Sequence, residues 1–273
     1  MEYYVKSLIP IIESNYENFT TVEKNIADYF INNSSNDDLS AKAVAQKLFV
    51  SEASLSRFAK KCGYRGYREF IYQYEKTFVE KKEAIPEHIR MVLNTYQELL
   101  NKTYSLLNKE QIIRICKFMG EAKKVCVCGK GSSGLAAREM ELRFMRIGLD
   151  IDSLQDSDLI RMGAVFQNPQ NLVIGISLSG EREEVLYLLQ TAHKRKAKTV
   201  LVTEKDNEKF EEFCDEVVLI PSLKFLNHGN VISPQFPILM LLDIIYSYYL
   251  EQDRNMKAHL HDGTLKALKG EQT

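Results

Sequence analysis

This chain of 273 residues has almost no net charge, no long apolar run and no regular cysteine framework. With a net charge of −1, no overall basic field draws the molecule to nucleic acid, so any DNA contact must come from a local patch. The cysteines number five, an odd count, and the N-terminal MEYYVKSLIP lacks a basic start followed by an apolar run. Together these predict a reducing, cytoplasmic setting rather than a disulfide scaffold. The most apolar late segment, ILMLLDIIYSYYL at 238–250, is too short to span a bilayer and carries Asp243 in its middle, so it reads as a buried core helix. Cys126 and Cys128 stand two apart in VCVCG with no further ligand at a zinc-like spacing. They are expected as core thiols, and neither a metal nor a cofactor is expected. No internal repeat or low-complexity tract appears.

What is present divides the chain in two. Hydrophobic residues make up 45%, enough for real cores, and the length leaves room for a small and an ordinary domain. Residues 1–75 read as nearly all helix. Val22, Ile26, Ala27, Phe30 and Ile31 recur at helical spacing behind Thr20 or Thr21 as a cap, and SSNDD at 34–38 is a loop. Two short helices, about 42–48 and 52–61, and a third from about 66 to 80 follow. The stretch VEKKEAIPEH at 79–88 reads as a linker and leads into a helix over about 87–107.

Beyond residue 110, short apolar runs alternate with helical patterns. The runs are 125–128, 172–176, 199–203 and 216–220, with a further one near 149–151. The helical patterns are 134–147, 157–166, 181–195, 207–213 and 234–251. Continuous apolar strands alternating with helices predict a doubly wound parallel sheet covered on both faces, with ligands at the carboxyl ends of the strands. The expected division is an all-α domain over 1–78, a linker and connecting helix over 79–108, an α/β domain over 109–251 and a polar tail over 252–273.

Residues 40–68 carry the pattern of a helix-turn-helix. Ala45 is the small residue at the crossing, and Val44, Leu48, Val50, Leu55 and Phe58 pin the pair. Ser51 is placed to cap the second helix, which would present Ser54, Ser56, Arg57, Lys60 and Lys61 outward. Hydroxyls and helix N-termini suit phosphate oxygens, and arginine can fork onto a guanine edge. Residues 57–68 hold Arg57, Lys60, Lys61, Arg65 and Arg68 with no acid among them. The turn favours a left-handed residue, and Phe49 stands there. Either the turn is wider, or Phe49 is strained and packed against Phe58. A plain bundle used for dimerisation is the competing reading.

EKNIADYFINN followed by AVAQKLFVSEASLSRFAKKCGYRGYREF resembles the N-terminal domain of the RpiR family of bacterial transcription regulators, over about residues 18–75. Phe49 replaces that family's usual turn glycine.

Two further loops point to a small anion. GKGSSG at 129–134 follows a strand and opens a helix, where free amides and the helix dipole favour negative charge. Ser132 and Ser133 add hydroxyl donors. The loop is not of Walker type, and for a dinucleotide site only Asp150 and Asp152 stand near the required acidic position. In ISLSGEREEV at 176–185, Ser177 and Ser179 sit at the strand end, Gly180 allows the turn and Glu181 is expected to open the helix. The pair of loops resembles the sugar isomerase (SIS) domain over about residues 109–250. The resemblance implies that Ser133, Ser177 and Ser179 hold the phosphate of a phosphosugar. Arg182 stands where the family has threonine, and arginine can fork onto phosphate instead. Ser233 and Gln235 either line the ligand site or cap the closing helix.

Some SIS proteins are isomerases or lyases, which need a base beside the phosphate loops. Glu139, Glu141, Glu181, Glu183, Glu184 and His228 are the candidates; His259 and His261 lie in the polar tail. The N-terminal reader favours a sensor without turnover. The expectation is therefore a dimeric or tetrameric transcriptional regulator that binds a double-stranded DNA operator and a sugar phosphate effector, with a phosphosugar isomerase or lyase as the alternative.

Overall fold

The computed structural model describes residues 8–32, 38–78 and 86–270. The chain divides into two compact units, Met1–Pro86 and Glu87–Thr273.

The first unit is helical: α1 (Ile9–Ser14), α2 (Thr21–Asn32), α3 (Ala41–Leu48), α4 (Glu52–Lys61) and α5 (Tyr67–Phe78). The cap of α2 is Thr20, whose amide and hydroxyl both donate to Glu23 Oε2 while its Oγ1 accepts from the Glu23 amide, a reciprocal capping box. The core is aromatic. Phe30 lies 4.9 Å from Phe70 and 4.9 Å from Tyr74 by ring centroids, both edge to face. The Tyr74 hydroxyl donates to the Phe30 carbonyl, so the one polar atom of that ring is satisfied where it is buried. Val44, Leu55 and Phe58 are fully buried, and Leu48 and Val50 pack against the same cluster. The loop expected at 34–38 and the linker expected at 79–88 fall largely outside the described residues.

The second unit begins with α6 (Glu87–Leu106) and α7 (Lys109–Glu121). Helix α6 is packed on this unit: Leu99 is buried with Leu226 and Ile232, and Tyr96 meets Phe236 at 4.4 Å. Then come β1 (Lys124–Gly129), α8 (Ser132–Met145), β2 (Ile151–Leu154), α9 (Ser157–Gly163), β3 (Asn171–Ile176), α10 (Glu183–Lys194), β4 (Lys198–Thr203), β5 (Glu216–Leu219), α11 (Phe236–Glu251) and α12 (Arg254–Leu268). The strands form one parallel sheet in the order β2-β1-β3-β4-β5. Val125 and Val127 face a layer of α7, α8 and α11, while Cys126 and Cys128 face α9 and α10. Period-2 alternation thus sends valine to one apolar layer and cysteine to the other.

Several expectations shift. The second strand starts at Ile151 rather than 149, because Gly148 (φ +89) and the buried Leu149 still belong to the end of the α8 turn. The pattern at 207–213 is a 3-10 turn, Glu208–Glu212. Residues 254–268 of the expected polar tail form a helix that docks through Lys257. The Lys257 ammonium donates to the Tyr249 carbonyl at the end of α11 and lies over the Tyr249 ring. Asp243 sits on the outer side of α11 and pairs with Arg143 of α8.

Candidate functional site

In the first unit, α3 ends in a Schellman turn. The Val50 amide donates to the Ala45 carbonyl, the Phe49 amide to the Gln46 carbonyl, and Phe49 itself is left-handed at φ 54, ψ 42. The turn is therefore not widened. Nor is Phe49 packed against Phe58: its side chain is 96% exposed while Phe58 is fully buried, because a left-handed residue throws its side chain away from the helix pair.

Ser51 caps α4 as the sequence indicates, its hydroxyl accepting from the Ser54 amide at 3.1 Å. Ser54 corrects the sequence reading. It is buried against the turn, within 2.9 Å of Ser51 Oγ, and accepts from Arg57. Ser56 is half-buried, and Arg57 and Lys60 are exposed. Lys61 is turned back onto α2. Its ammonium lies 2.7 Å from the Glu23 carboxylate and 3.0 Å from the Asn18 carbonyl, so its charge is already matched within the fold.

In the second unit, the chain leaves β1 towards β2 on one side and returns to β3 on the other. The carboxyl ends of β1 and β3 are thus the topological switch point, where a crevice opens in this class of sheet. Gly129 and Ile176 are register partners, so the two serine loops leave the sheet abreast. Helix α8 begins at Ser132, and its cap position is Gly131 at φ +55. Ser132 is half-buried and Ser133 buried in its first turn. This turn is close-packed: a Cβ on Gly129 would meet the Ser133 backbone at 2.7 Å, and one on Gly134 would meet the Gly129 carbonyl oxygen at 2.8 Å.

The second loop is held against β4. Thr203 Oγ1 donates to the Leu178 carbonyl, and so does the Glu204 amide at 3.1 Å. Ser177 is buried, and its hydroxyl accepts from the Arg182 amide at 3.4 Å. Ser179 is exposed and accepts from the Glu181 amide. Gly180 takes φ +68 in the turn. Helix α10 opens at Glu183, not at Glu181; Arg182 occupies its cap position with its side chain exposed. The arrangement offers hydroxyls, a cation and the free amides of two helix N-termini at adjoining strand ends, a cradle for an anion.

Lys130, between the two glycines of the first loop, carries no signal of its own in the sequence. Its field reaches Asp156 and Glu184. Asp156 is held below its ordinary value chiefly by the Leu159 and Asp158 amides, Glu184 chiefly by its own amide and by Ser157, with Lys130 adding to both. Most of the candidate glutamates are engaged, Glu139 lying 3.9 Å from Arg143, while Glu181 is exposed in the second loop. Glu141 is pinned by Arg138 and the Ser153 amide, Glu184 accepts from Ser157 at 2.9 Å, and Glu183 pairs with Arg161. His228 and His259 are exposed, and His261 lies beside Asp262. Ser233 accepts from the Gln235 amide and caps its own turn, while Gln235 stands at the start of α11 without a side-chain cap bond.

A cavity of about 610 Å³ opens at the carboxyl ends of β4 and β5, one strand over from the serine loops. Glu98 and Lys102 of α6, Glu204, Asp206 and Phe225 are among its walls. Lys102 bridges Glu98 at 2.7 Å and the Phe225 carbonyl at 2.8 Å, which ties α6 to this edge. Sequence reasoning missed it because its walls lie over a hundred residues apart. Among the described residues, no helix is long and apolar enough to cross a membrane and no cluster of histidine, cysteine or acidic side chains is placed to hold a metal.

Residues 6–81 match the model of the helix-turn-helix domain of the rpiR family, and residues 118–228 match that of the SIS domain. The chain is 26% identical to an uncharacterised HTH-type transcriptional regulator of Haemophilus influenzae, over 94% of both chains. It is 23% identical to the HTH-type transcriptional regulator RpiR of Escherichia coli K12, over 88% of this chain and 84% of that one. Its fold is similar to that of Vibrio vulnificus NanR, solved with ManNAc-6P, at a TM-score of 0.60 and 22% identity over 97% of this chain and 98% of that one. The sugar isomerase domain of an RpiR transcription factor from Sphaerobacter thermophilus aligns at a TM-score of 0.59 and 17% identity, over 66% of this chain and 98% of that one. With both domain models matched in this order, the chain belongs to the RpiR family of helix-turn-helix transcriptional regulators and carries a SIS domain.

Proposed function

We propose that this regulator senses a sugar phosphate in its SIS domain and changes its hold on a double-stranded DNA operator in response. The observation that carries the reading is the pairing of two serine loops at one switch point with a separate helical unit whose α4 exposes Arg57 and Lys60. The phosphate monoester is held by Ser133, Ser177 and Ser179, with Ser132, Gly180 and Arg182 completing the cradle. The cavity beside β4 and β5 takes the rest of the sugar. The complex of NanR with ManNAc-6P supports this class of effector. Residues 1–78 read DNA, with Ser51, Ser56, Arg57 and Lys60 towards the duplex; Ser54 and Lys61 act by holding the motif together. Residues 79–108 join them to the effector domain over 109–251.

One recognition helix covers too few base pairs for specificity, so the operator-bound form is a homodimer or a homotetramer in the cytoplasm. Coupling requires that the effector bind more tightly to one arrangement of the two DNA readers than to the other. Turnover is not part of this reading: Glu141 and Glu184 are tied to a cation and hydroxyls, and the relatives are named regulators.

The test is a thermal-shift screen of sugar phosphates, with ManNAc-6P among them, followed by operator binding with and without the hit. A ligand that raises the melting temperature and shifts DNA affinity supports the reading. Conversion of that ligand to an isomer would establish the alternative, a phosphosugar isomerase. A saturating ligand that leaves DNA affinity unchanged refutes the coupling.

A further inference from the structure

Helices α3 and α4 end in the same Schellman turn. At the end of α4 the left-handed position is filled by Gly63 (φ +89), with the Tyr64 amide donating to the Ala59 carbonyl. At the end of α3 it is filled by Phe49. A left-handed backbone is unfavourable for a bulky side chain, and a phenyl ring left in water forgoes its burial. The position is therefore costly in two independent ways, and the first unit supplies no compensation, since the ring is 96% exposed. Among the described residues, Lys196 is the other non-glycine with positive φ, and its charged head belongs in water. The Phe49 ring has no polar head to solvate.

The ring's place names its partner. Phe49 stands two residues before Ser51, the cap of α4, in a stretch whose exposed charges are Lys42, Lys47, Arg57 and Lys60 against Glu52 alone. An apolar ring in a cationic setting at the mouth of a recognition helix fits a polyanion that also offers apolar edges. We infer that Phe49 is a specificity-determining residue that contacts a thymine 5-methyl group of the operator in the major groove. This inference rests on the DNA-reading proposal above. Phenylalanine is suited to that methyl group, and the strain is then offset only in the complex.

The experiment uses the full chain. Duplexes selected from a random library define its site, and parent, F49G and F49A are then compared on it. Relief of the left-handed strain leaves F49G at least as heat-stable as the parent. Its duplex affinity falls by at least about fourfold, the worth of one buried methyl group, and its preference for thymine at one position is lost. Replacing that thymine by deoxyuridine weakens the parent by a similar factor and leaves F49G unchanged. The slope of affinity against salt stays the same, since every phosphate keeps its cation. An F49G chain with the parent's affinity and base preference overturns the inference. So does an F49G chain that self-associates more weakly in free solution while keeping the parent's base preference on the duplex, which would assign the ring to a protein surface. A parent chain that selects no duplex overturns the DNA reading itself.

Discussion

The ammonium of Lys61 on α4 lies 2.7 Å from the carboxylate of Glu23 on α2, and that carboxylate is buried while also closing the capping box with Thr20. One acid therefore fixes both the start of α2 and the seating of α4. Burial pushes the Glu23 carboxyl up, but hydrogen bonds from Lys61 and Thr20 outweigh it and hold the group below its ordinary value of 4.5. Glu23→Gln should destabilise the chain by about 1–3 kcal/mol, the cost of a buried, charge-assisted network losing its centre. A depressed folded value stabilises above the unfolded one and is lost as pH falls through it. In thermal melts the gap between parent and E23Q should hold steady above pH 4.5 and close below it.

DNA binding separates the cations of α4 by what each already touches. Removing Arg57 or Lys60 should reduce the salt slope of operator affinity by about 0.9 for each phosphate left without its cation. Lys61→Ala should leave that slope near the parent's value and lower the melting temperature instead, because its charge is already matched by Glu23. Filter-binding titrations over a range of salt concentrations read the slope directly.

For the effector site, exposure predicts two kinds of serine variant. Ser179→Ala removes an exposed hydroxyl and should abolish most of the thermal shift given by the best sugar phosphate, with little change in the unliganded melt. Ser177→Ala also takes away the acceptor of the Arg182 amide, so it should lose both the shift and about 1 kcal/mol of intrinsic stability. Arg182→Ala tests whether the guanidinium has replaced the missing threonine hydroxyl: the ligand should weaken by about 1.5–3 kcal/mol if it pairs with the phosphate.

Gly134→Ala should be more damaging than its size suggests. Its new Cβ would lie 2.8 Å from the Gly129 carbonyl oxygen, backbone that cannot step aside. We expect a loss of about 1–3 kcal/mol and a displaced first turn of α8, read as a lower melting temperature and a weaker effector shift.

All five cysteines are buried and unpaired. Burial lifts the thiols of Cys62, Cys126 and Cys214 to about 12 and that of Cys116 to about 11. Since the thiolate is the reactive form, the native chain should resist a thiol reagent at mildly alkaline pH and yield five reactive groups once unfolded.

Much of this was legible along the chain. Helix spacing marked α2 to α5, with caps named for α2 and α4, and short apolar runs marked β1, β3, β4 and β5, because each is a local pattern of period 3.6 or 2. What failed depended on neighbours. Ser54 looks outward on a helical wheel, yet it folds under the Ser51 cap. Lys61 looks like one of five equal cations until Glu23, 38 residues away, is brought beside it. The local pattern starts α10 at Glu181, but Ser177 draws in the Arg182 amide and the helix opens at Glu183.

The order of residues by itself determined the division into a helical unit and a parallel α/β layer, the glycine-and-serine loops behind β1 and β3, and the family. Those features rest on spacing within a few residues, where backbone geometry leaves few choices. Tertiary structure alone decided that the two loops leave the sheet abreast and that α6 closes a cavity against the β4–β5 edge. Each of these depends on groups far apart in sequence meeting under one packing solution, and nothing local encodes such a meeting.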